Sequence, residues 1–324
     1  MSALYQVAGL SVDLPMSSGI LGAFLPGPKP TLNLLRDISL TLNSGETFGL
    51  VGESGSGKTT LARAMLGLQA VSGGSLTFQG QPLASQRSFT ALRRDAAMMF
   101  QDAVASLSPR MTVAALITEP FVIHGLPLPD AAAKAAELLA QVGLPPALAG
   151  RFPHELSGGQ ARRIGVARAL ALRPKLVIAD EPTAGLDVSV QGEILNLMTD
   201  LKSAFGLSLM IITHNLAMVR HVSDRIAILY LGRMVETGPT RAVFARPAHP
   251  YTQSLIASEP QPDPRKRRAD LAIRGEIPSV LRRPPGCAFH TRCPAAQGIC
   301  RQSAPESRAL GADRQVICHF PNPI

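Results

Sequence analysis

Short apolar runs separated by glycine- and proline-rich turns make up the first part of the chain. Residues 4–14 alternate like a strand, residues 15–31 are rich in Pro and Gly and are predicted to form a loop, and the strand pattern resumes over 34–42. After a turn at 43–46, the short apolar segment 47–51 predicts another strand. This pattern predicts an antiparallel layer beside a second core.

The middle of the chain changes to a helical period. Residues 112–150 are predicted to be helical, with 131–142 the clearest amphipathic segment, and a further helix is predicted over 161–172. Continuous apolar runs at 176–179 and 209–213 are typical of strands buried on both faces of a parallel sheet. The chain is therefore predicted to be an α/β protein.

A phosphate-binding loop lies between the strand at 47–51 and a helical pattern at 61–66. It matches G-x-x-x-x-G-K-[ST] at every fixed position. Its glycines let the backbone N–H groups point inward at a phosphate, with the positive end of the helix dipole behind them. Lys58 is expected to reach the β- and γ-phosphates, and Thr59 to bind Mg²⁺. A turn that binds nothing is the weaker interpretation because the motif is complete, so the sequence predicts binding of a nucleoside triphosphate. The motif consists of Gly52, Glu53, Ser54, Gly55, Ser56, Gly57, Lys58, Thr59 and Thr60.

Composition limits the remaining classes of function. The 324 residues are 46% hydrophobic, and no run approaches the roughly 18 apolar residues of a membrane-spanning helix. No secretory signal is evident at the N-terminus, so we expect a cytosolic protein whose membrane role depends on partners. The net charge of +9 owes much to late arginines, and the basic segment 265–268 is interpreted as a solvated linker. With three Tyr and no Trp, nucleic-acid binding by base stacking has little support.

Four more motifs follow the phosphate loop. Gln101 follows an apolar strand, residues 156–160 open a helix, the acids 180–181 close a buried strand, and His214 closes the next one. With these motifs in this order, the chain resembles the ATPase domain of ABC transporters. The resemblance implies a RecA-like P-loop core, an antiparallel β subdomain and a helical subdomain over about 103–170.

The resemblance also implies a role for each of these residues. Asp180 would hold Mg²⁺, usually through water, and Glu181 would be the catalytic carboxylate that polarises the water attacking the γ-phosphate. Two adjacent acids at a buried strand end would be costly as purely structural residues. His214 would contact the γ-phosphate, and Gln101 would ligate Mg²⁺ or position water. Taken alone, Gln101 is uninformative, and a single strand-end histidine is more often structural.

A second group of motif residues would act across a subunit interface. In the family, the signature segment contacts the γ-phosphate of ATP bound to another subunit, so the resemblance implies a head-to-tail dimer with ATP at the interface. Asp187 resembles the key residue of the loop that connects the two sites. ATP would close this dimer and hydrolysis would open it. The signature residues here are Leu156, Ser157, Gly158, Gly159 and Gln160.

Two positions depart from the family pattern. The aromatic residue that stacks on adenine aligns with Leu14, so either Phe24 in the inserted loop substitutes for it or apolar contacts hold the base. Asn215 follows His214 where Asp is usual, which we expect to be tolerated.

All four cysteines, Cys287, Cys293, Cys300 and Cys318, lie near the C-terminus. Disulfides are disfavoured in a cytosolic protein, which leaves a structural zinc or an iron–sulfur cluster. The spacing of the first two cysteines is wide for a zinc knuckle. The segments 249–251 and 286–294 resemble the tail of oligopeptide, dipeptide and nickel import ATPases, some of which carry a [4Fe-4S] cluster, and this ranks the cluster ahead of Zn²⁺.

The resemblance divides the chain into an ATPase domain, 1–258, and a C-terminal extension, 259–324. It implies a peripheral subunit at the cytoplasmic face of the membrane that hydrolyses ATP to drive import, most readily of di- and oligopeptides and alternatively of nickel. Its partners would be a related second ATPase subunit, two permease subunits and, indirectly, an extracytoplasmic solute-binding protein, with no nucleic acid. The inserted loop resembles the second of the paired ATPase subunits. An exporter ATPase and a soluble ABC ATPase acting on DNA or ribosomes are the rival interpretations.

Overall fold

The computed structural model describes residues 2–15, 31–102, 105–259, 275–311 and 313–323. Phe24, most of the predicted loop at 15–31 and the basic segment 265–268 lie outside these residues. The chain forms two compact units, and each is described by itself. The first unit contains residues 43–47 and 85–213, and the second contains residues 3–42, 48–84 and 214–324.

Strands and helices alternate along most of the chain. The strands are β1 Ala3–Pro15, β2 Thr31–Asn43, β3 Thr47–Val51, β4 Gly73–Phe78, β5 Gln81–Pro82, β6 Ala96–Met99, β7 Leu176–Asp180, β8 Ser208–Thr213, β9 Arg225–Tyr230, β10 Arg233–Pro239, β11 Ser307–Ala309 and β12 Gln315–Ile317. The α-helices are α1 Lys58–Met65, α2 Gln86–Asp95, α3 Val113–Ile123, α4 Ala131–Gln141, α5 Gly158–Leu170, α6 Val188–Phe205, α7 Leu216–Val222, α8 Thr240–Ala245, α9 Pro250–Ala257 and α10 Gly298–Gln302. Short 3₁₀ segments in the described part of the chain lie at Pro146–Gly150, Pro153–Glu155 and Val280–Arg282.

The first unit is built on the parallel strands β6, β7 and β8, in the order β6-β7-β8. Every residue of β7 and β8 is buried, which confirms the interpretation of the apolar runs at 176–179 and 209–213 as doubly covered strands. Parallel strands place their carboxyl ends at one edge, and Asp180 lies in register with Ile212 there. The strand geometry thus brings the ends of β7 and β8 side by side.

Helices α3, α4 and α5 pack against one another in the first unit. The prediction of helix throughout 112–150 is wrong in its continuity, because α3 ends at Ile123 and α4 begins after Asp130. Asp130 accepts a hydrogen bond from the Ala133 N–H at 2.8 Å, so a side-chain cap starts the second helix anew. The helix expected over 161–172 begins at Gly158 and ends at Leu170.

The second unit contains two groups of paired strands. The predicted antiparallel layer is confirmed: β1 pairs antiparallel with β4, and β4 with β5. In the other group β9 pairs parallel with β3 and antiparallel with β10, which in turn pairs with β12. Because β12 belongs to the last residues of the chain, the C-terminal extension is part of this sheet and packs within the same unit.

An aromatic cluster anchors the C-terminal extension in the second unit. Tyr230, Tyr251 and Phe289 are each at most 1% exposed, and their ring centroids lie 4.7 to 5.3 Å apart. Nearby, the buried Glu236 accepts hydrogen bonds from the N–H groups of residues 248 and 249 and from the Arg314 guanidinium at 2.7 Å. Burial of an ion pair is tolerated when it is hydrogen-bonded in this way.

Candidate nucleotide-binding site

The phosphate loop begins where β3 ends, in a space that admits only glycine. A Cβ atom on Gly52 would lie 2.2 Å from the Leu229 carbonyl oxygen. Gly57 has φ of 104° and is the N-cap of α1, where it provides no side-chain hydrogen bond to the helix. The first N–H groups of an α-helix lack partners within the helix. The loop therefore presents backbone donors at a helix N-terminus, which is the arrangement that binds phosphate.

Lys58 folds back over this loop. Its Nζ donates to the carbonyl oxygens of Gly52 at 2.8 Å and Glu53 at 3.0 Å, and the residue is 8% exposed. The Ser56 N–H donates to the same Glu53 carbonyl at 3.2 Å. The side chain of Lys58 thus bridges the start of the loop. Thr59 and Thr60 follow on the first turn of α1 and are half-buried.

Two acids close β7 in the first unit. Asp180 is 2% exposed and Glu181 is 9% exposed. The Glu181 carboxylate accepts a hydrogen bond from the Thr213 hydroxyl at 3.1 Å, and its N–H donates to the Ile212 carbonyl at 2.8 Å. Glu181 has φ of 49°, a left-handed conformation that is unfavourable for a residue with a Cβ and is frequent at functional sites. The strand end and Thr213 thus hold this carboxylate in one orientation.

Sequence reasoning missed Arg162, which lies on the helix that opens with the signature. Its guanidinium donates to the Gln101 carbonyl at 2.9 Å and to the Ala184 carbonyl at 2.8 Å. The residue is 5% exposed, and burial lowers its pKa. The available signal was a charged residue among the apolar positions of a helix. Arg162 therefore joins Gln101, whose own side chain is exposed, to the loop before Asp187.

The signature residues lie at the exposed N-terminus of α5. The Ser157 hydroxyl accepts from the Gln160 N–H at 3.2 Å, and the Gln160 side chain accepts from the Ser157 N–H at 3.0 Å. This capping box confirms the predicted N-cap. Leu156 precedes it and is half-buried, whereas Ser157 and Gly158 are exposed. Asp187 is also exposed, at the start of α6.

The residues after β8 belong to the second unit. His214 is exposed, and Asn215 caps α7 by accepting from the Met218 N–H at 3.1 Å. Asparagine caps helices as well as aspartate does, which explains why it is accommodated at this position. Leu14 lies near the end of β1 and is half-buried.

The C-terminal extension contacts the phosphate loop, which sequence reasoning also missed. The Arg292 guanidinium makes two hydrogen bonds to the Glu53 carboxylate, at 2.7 and 2.9 Å. This pairing raises the pKa of Arg292. The Tyr251 hydroxyl accepts from the Glu53 N–H at 3.1 Å. No local pattern signals these contacts, because the pair Glu53–Arg292 is separated by 239 positions.

The four cysteines line one small cavity in the second unit. All four are free thiols, and burial raises the pKa of Cys287, of Cys293 and, to about 11, of Cys318. Among the residues that the structure describes, no group of three or more His, Cys, Asp and Glu side chains is arranged to hold a metal ion.

Strand, phosphate loop and helix in the second unit define a P-loop nucleotide-binding protein. The ABC transporter family model matches residues 35–184, and the model of the oligopeptide/dipeptide transporter C-terminal region matches residues 235–300. The solved structure of cbiO1 from Clostridium perfringens, part of an ABC transporter complex, is 27% identical, with a TM-score of 0.64 over 76% of this chain and 92% of that one. A bacterial ABC transporter cassette solved as a dimer, at 24% identity, shares the fold with the same TM-score of 0.64, over 74% of this chain and 99% of that one.

Curated relatives match over nearly the whole chain. A probable peptide ABC transporter ATP-binding protein from Sinorhizobium fredii is 44% identical over 99% of this chain and 91% of its own length. The oligopeptide transport ATP-binding protein OppF from Salmonella typhimurium is 43% identical over 93% of this chain and 92% of its own. The chain belongs to the ABC transporter ATPase family, and it carries the oligopeptide/dipeptide transporter C-terminal region. In the described residues, no helix is both long and apolar enough to cross a bilayer.

Proposed function

We propose that this chain binds and hydrolyses ATP to drive peptide import through membrane partners. The observation that carries this proposal is the match along both parts of the chain, since relatives named for peptide transport cover the ATPase domain and the C-terminal region together. Import of nickel or another small solute is the second candidate. The division into an ATPase domain, 1–258, and an extension, 259–324, is part of the proposal.

Each motif residue has a proposed part in hydrolysis. The amides of the phosphate loop and Lys58 hold the phosphates, while Thr59, Asp180 and Gln101 hold Mg²⁺ directly or through water. Glu181 polarises the attacking water, and its hydrogen bond with Thr213 supports this role by orienting the carboxylate. His214 stabilises charge on the γ-phosphate.

The active assembly is proposed to be a head-to-tail dimer with a related second ATPase subunit. Residues 156–160 of one subunit contact ATP held by the other, and Asp187 couples the two sites. The exposure of Ser157, Gly158 and Asp187 supports this proposal, because these residues are open to a partner. Two permease subunits and, indirectly, a solute-binding protein complete the transporter, with this chain at the cytoplasmic face of the membrane.

The cysteines Cys287, Cys293, Cys300 and Cys318 are proposed to hold a [4Fe-4S] cluster, with Zn²⁺ as the alternative. Four thiols lining one cavity support a thiolate-ligated group. A [4Fe-4S] cluster takes four cysteine thiolates as ligands, and this chain carries four cysteines. Anaerobic purification followed by iron, sulfide and zinc analysis tests this, and about four irons per chain is expected. Zinc alone, or no metal, would overturn the cluster.

Nucleotide chemistry is tested by equilibrium binding of Mg–ATP to the purified full chain. Lys58→Ala is expected to lose binding, whereas Lys175→Ala, which removes an exposed lysine of the first unit, should bind as the parent chain does. Failure of the parent chain to bind Mg–ATP would contradict the proposed function, because hydrolysis and import both require ATP binding.

The transported solute is tested by uptake in cells that lack this gene. Loss of uptake of radiolabelled di- and oligopeptides, restored by the parent gene and not by Lys58→Ala, is the expected result. Unchanged peptide uptake with loss of ⁶³Ni²⁺ uptake would favour the nickel importer instead.

A further inference from the structure

Tyr251 of α9 and Arg292 of the C-terminal extension meet at one residue of the phosphate loop. Tyr251, at the start of α9, accepts the N–H of Glu53 at 3.1 Å, and Arg292 makes two hydrogen bonds to the Glu53 carboxylate, at 2.7 and 2.9 Å. The Arg292 side chain is 5% exposed and that of Glu53 is 20% exposed. We name Glu53, Tyr251 and Arg292 the Glu53 clamp.

Arg292 is held firmly from the side of the extension. Its guanidinium lies over the Tyr230 ring, 5.8 Å from the centroid, and the backbone N–H of Arg292 donates to the Phe289 carbonyl at 3.0 Å. Tyr230 and Phe289 belong to the buried aromatic cluster, which also contains Tyr251. The aromatic cluster supports Arg292, and its two-point contact with the Glu53 carboxylate fixes the orientation of the two groups as well as the distance between them.

The clamp acts on the part of the loop that positions Lys58. The Glu53 carbonyl accepts from the Lys58 Nζ at 3.0 Å and from the Ser56 N–H at 3.2 Å. Holding Glu53 by its N–H and its carboxylate therefore also holds the carbonyl around which the loop curls. In addition, Arg292 compensates a negative charge located inside a loop that must receive the anionic phosphates of ATP.

We propose that Arg292 of the C-terminal extension, together with Tyr251 of α9, positions the phosphate loop for ATP through the Glu53 clamp, with both as positioning residues. This inference rests on the proposed nucleotide-binding function. It assigns the extension a role in nucleotide affinity that is separate from any metal held by its cysteines. Loss of the clamp weakens ATP binding without removing a group that reacts.

The test is equilibrium binding of Mg–ATP to the full chain, with hydrolysis measured in parallel. Arg292→Gln leaves the Glu53 carboxylate uncompensated, and we expect the Kd to rise about tenfold, a difference of about 1.4 kcal/mol. Tyr251→Phe removes only the acceptor of the Glu53 N–H and should raise the Kd about threefold. Arg308→Gln, which removes an exposed arginine of the same extension, is the matched control and should leave the Kd unchanged.

A double substitution separates positioning from compensation of charge. Glu53→Gln combined with Arg292→Gln removes both charges together with the two-point contact, so loss of positioning should keep the Kd within about threefold of that of Arg292→Gln. The KM for ATP should follow the Kd while kcat stays within about twofold, whereas a loss of folded protein would lower kcat and leave KM unchanged. Equal affinity in Arg292→Gln, Arg308→Gln and the parent chain would overturn the clamp, as would a double variant that binds ATP as tightly as the parent chain does. Lack of ATP binding by the parent chain would instead refute the proposed function.

Discussion

Arg162 provides the sharpest test of how the first unit holds its motif loops together. The change is Arg162→Met, which keeps an unbranched apolar stem and removes the guanidinium. The carbonyls of Gln101 and Ala184 then lose their donor, at 2.9 and 2.8 Å respectively. Both loops should become less ordered, because the side chain that joins them is gone.

The magnitude follows from the two hydrogen bonds. A hydrogen bond to a charged group contributes about 1.5 kcal/mol at the low end of measured values, so two contribute about 3 kcal/mol. Burying the charged guanidinium costs free energy that burying methionine does not, and this offsets part of the loss. We therefore expect the free energy of unfolding to fall by about 2 to 3 kcal/mol, and kcat to fall at least about tenfold if Gln101 positions Mg²⁺ or water.

Arg163→Met on the same helix is the matched control. Arg163 donates to the Val142 carbonyl at 2.9 Å and pairs at 2.9 Å with Glu193, whose side chain is 59% exposed. By the same estimate the bond to the Val142 carbonyl contributes about 1.5 kcal/mol, and an ion pair with so exposed a partner adds less than about 1 kcal/mol. The two variants are therefore distinguished by kcat, which should fall only in Arg162→Met. Urea unfolding and steady-state hydrolysis at saturating ATP measure both variants. An unchanged kcat in Arg162→Met, or an equal fall of kcat in the two variants, would refute the reasoning.

Three further predictions test individual positions. Glu181→Gln should bind ATP with parental affinity but turn over at least about 100-fold more slowly, because an amide cannot polarise water as a carboxylate does; hydrolysis at the parental rate would refute this. Gly52→Ala should lose ATP binding, since its Cβ would lie 2.2 Å from the Leu229 carbonyl oxygen, whereas Gly192→Ala, with no atom within 4 Å of its Cβ, should not. Phe289→Ala, at a residue 1% exposed, should lower the free energy of unfolding by about 3 to 5 kcal/mol in urea, and a loss below about 1 kcal/mol would contradict the packing described here.

The motifs that identify this protein could be predicted from sequence because their chemistry is local. The phosphate loop is a continuous segment between a strand and a helix, and Ser157 and Gln160 form a capping box within one helical turn. The buried strands before Glu181 and His214 were recognisable because a strand covered on both faces must be apolar throughout. The break between α3 and α4 was missed although it contains the helix-ending residues Gly125, Pro127 and Pro129.

Only the tertiary structure decided which distant groups share a contact. Arg162 reaches a carbonyl 61 positions away, and Arg292 reaches Glu53 across 239 positions, so neither partner can be found from spacing along the chain. Both arginines are polar residues in otherwise buried surroundings, and folding alone determines which acceptor satisfies a buried donor. The sequence thus determined the phosphate loop itself, whereas packing of the C-terminal extension decided how that loop is held.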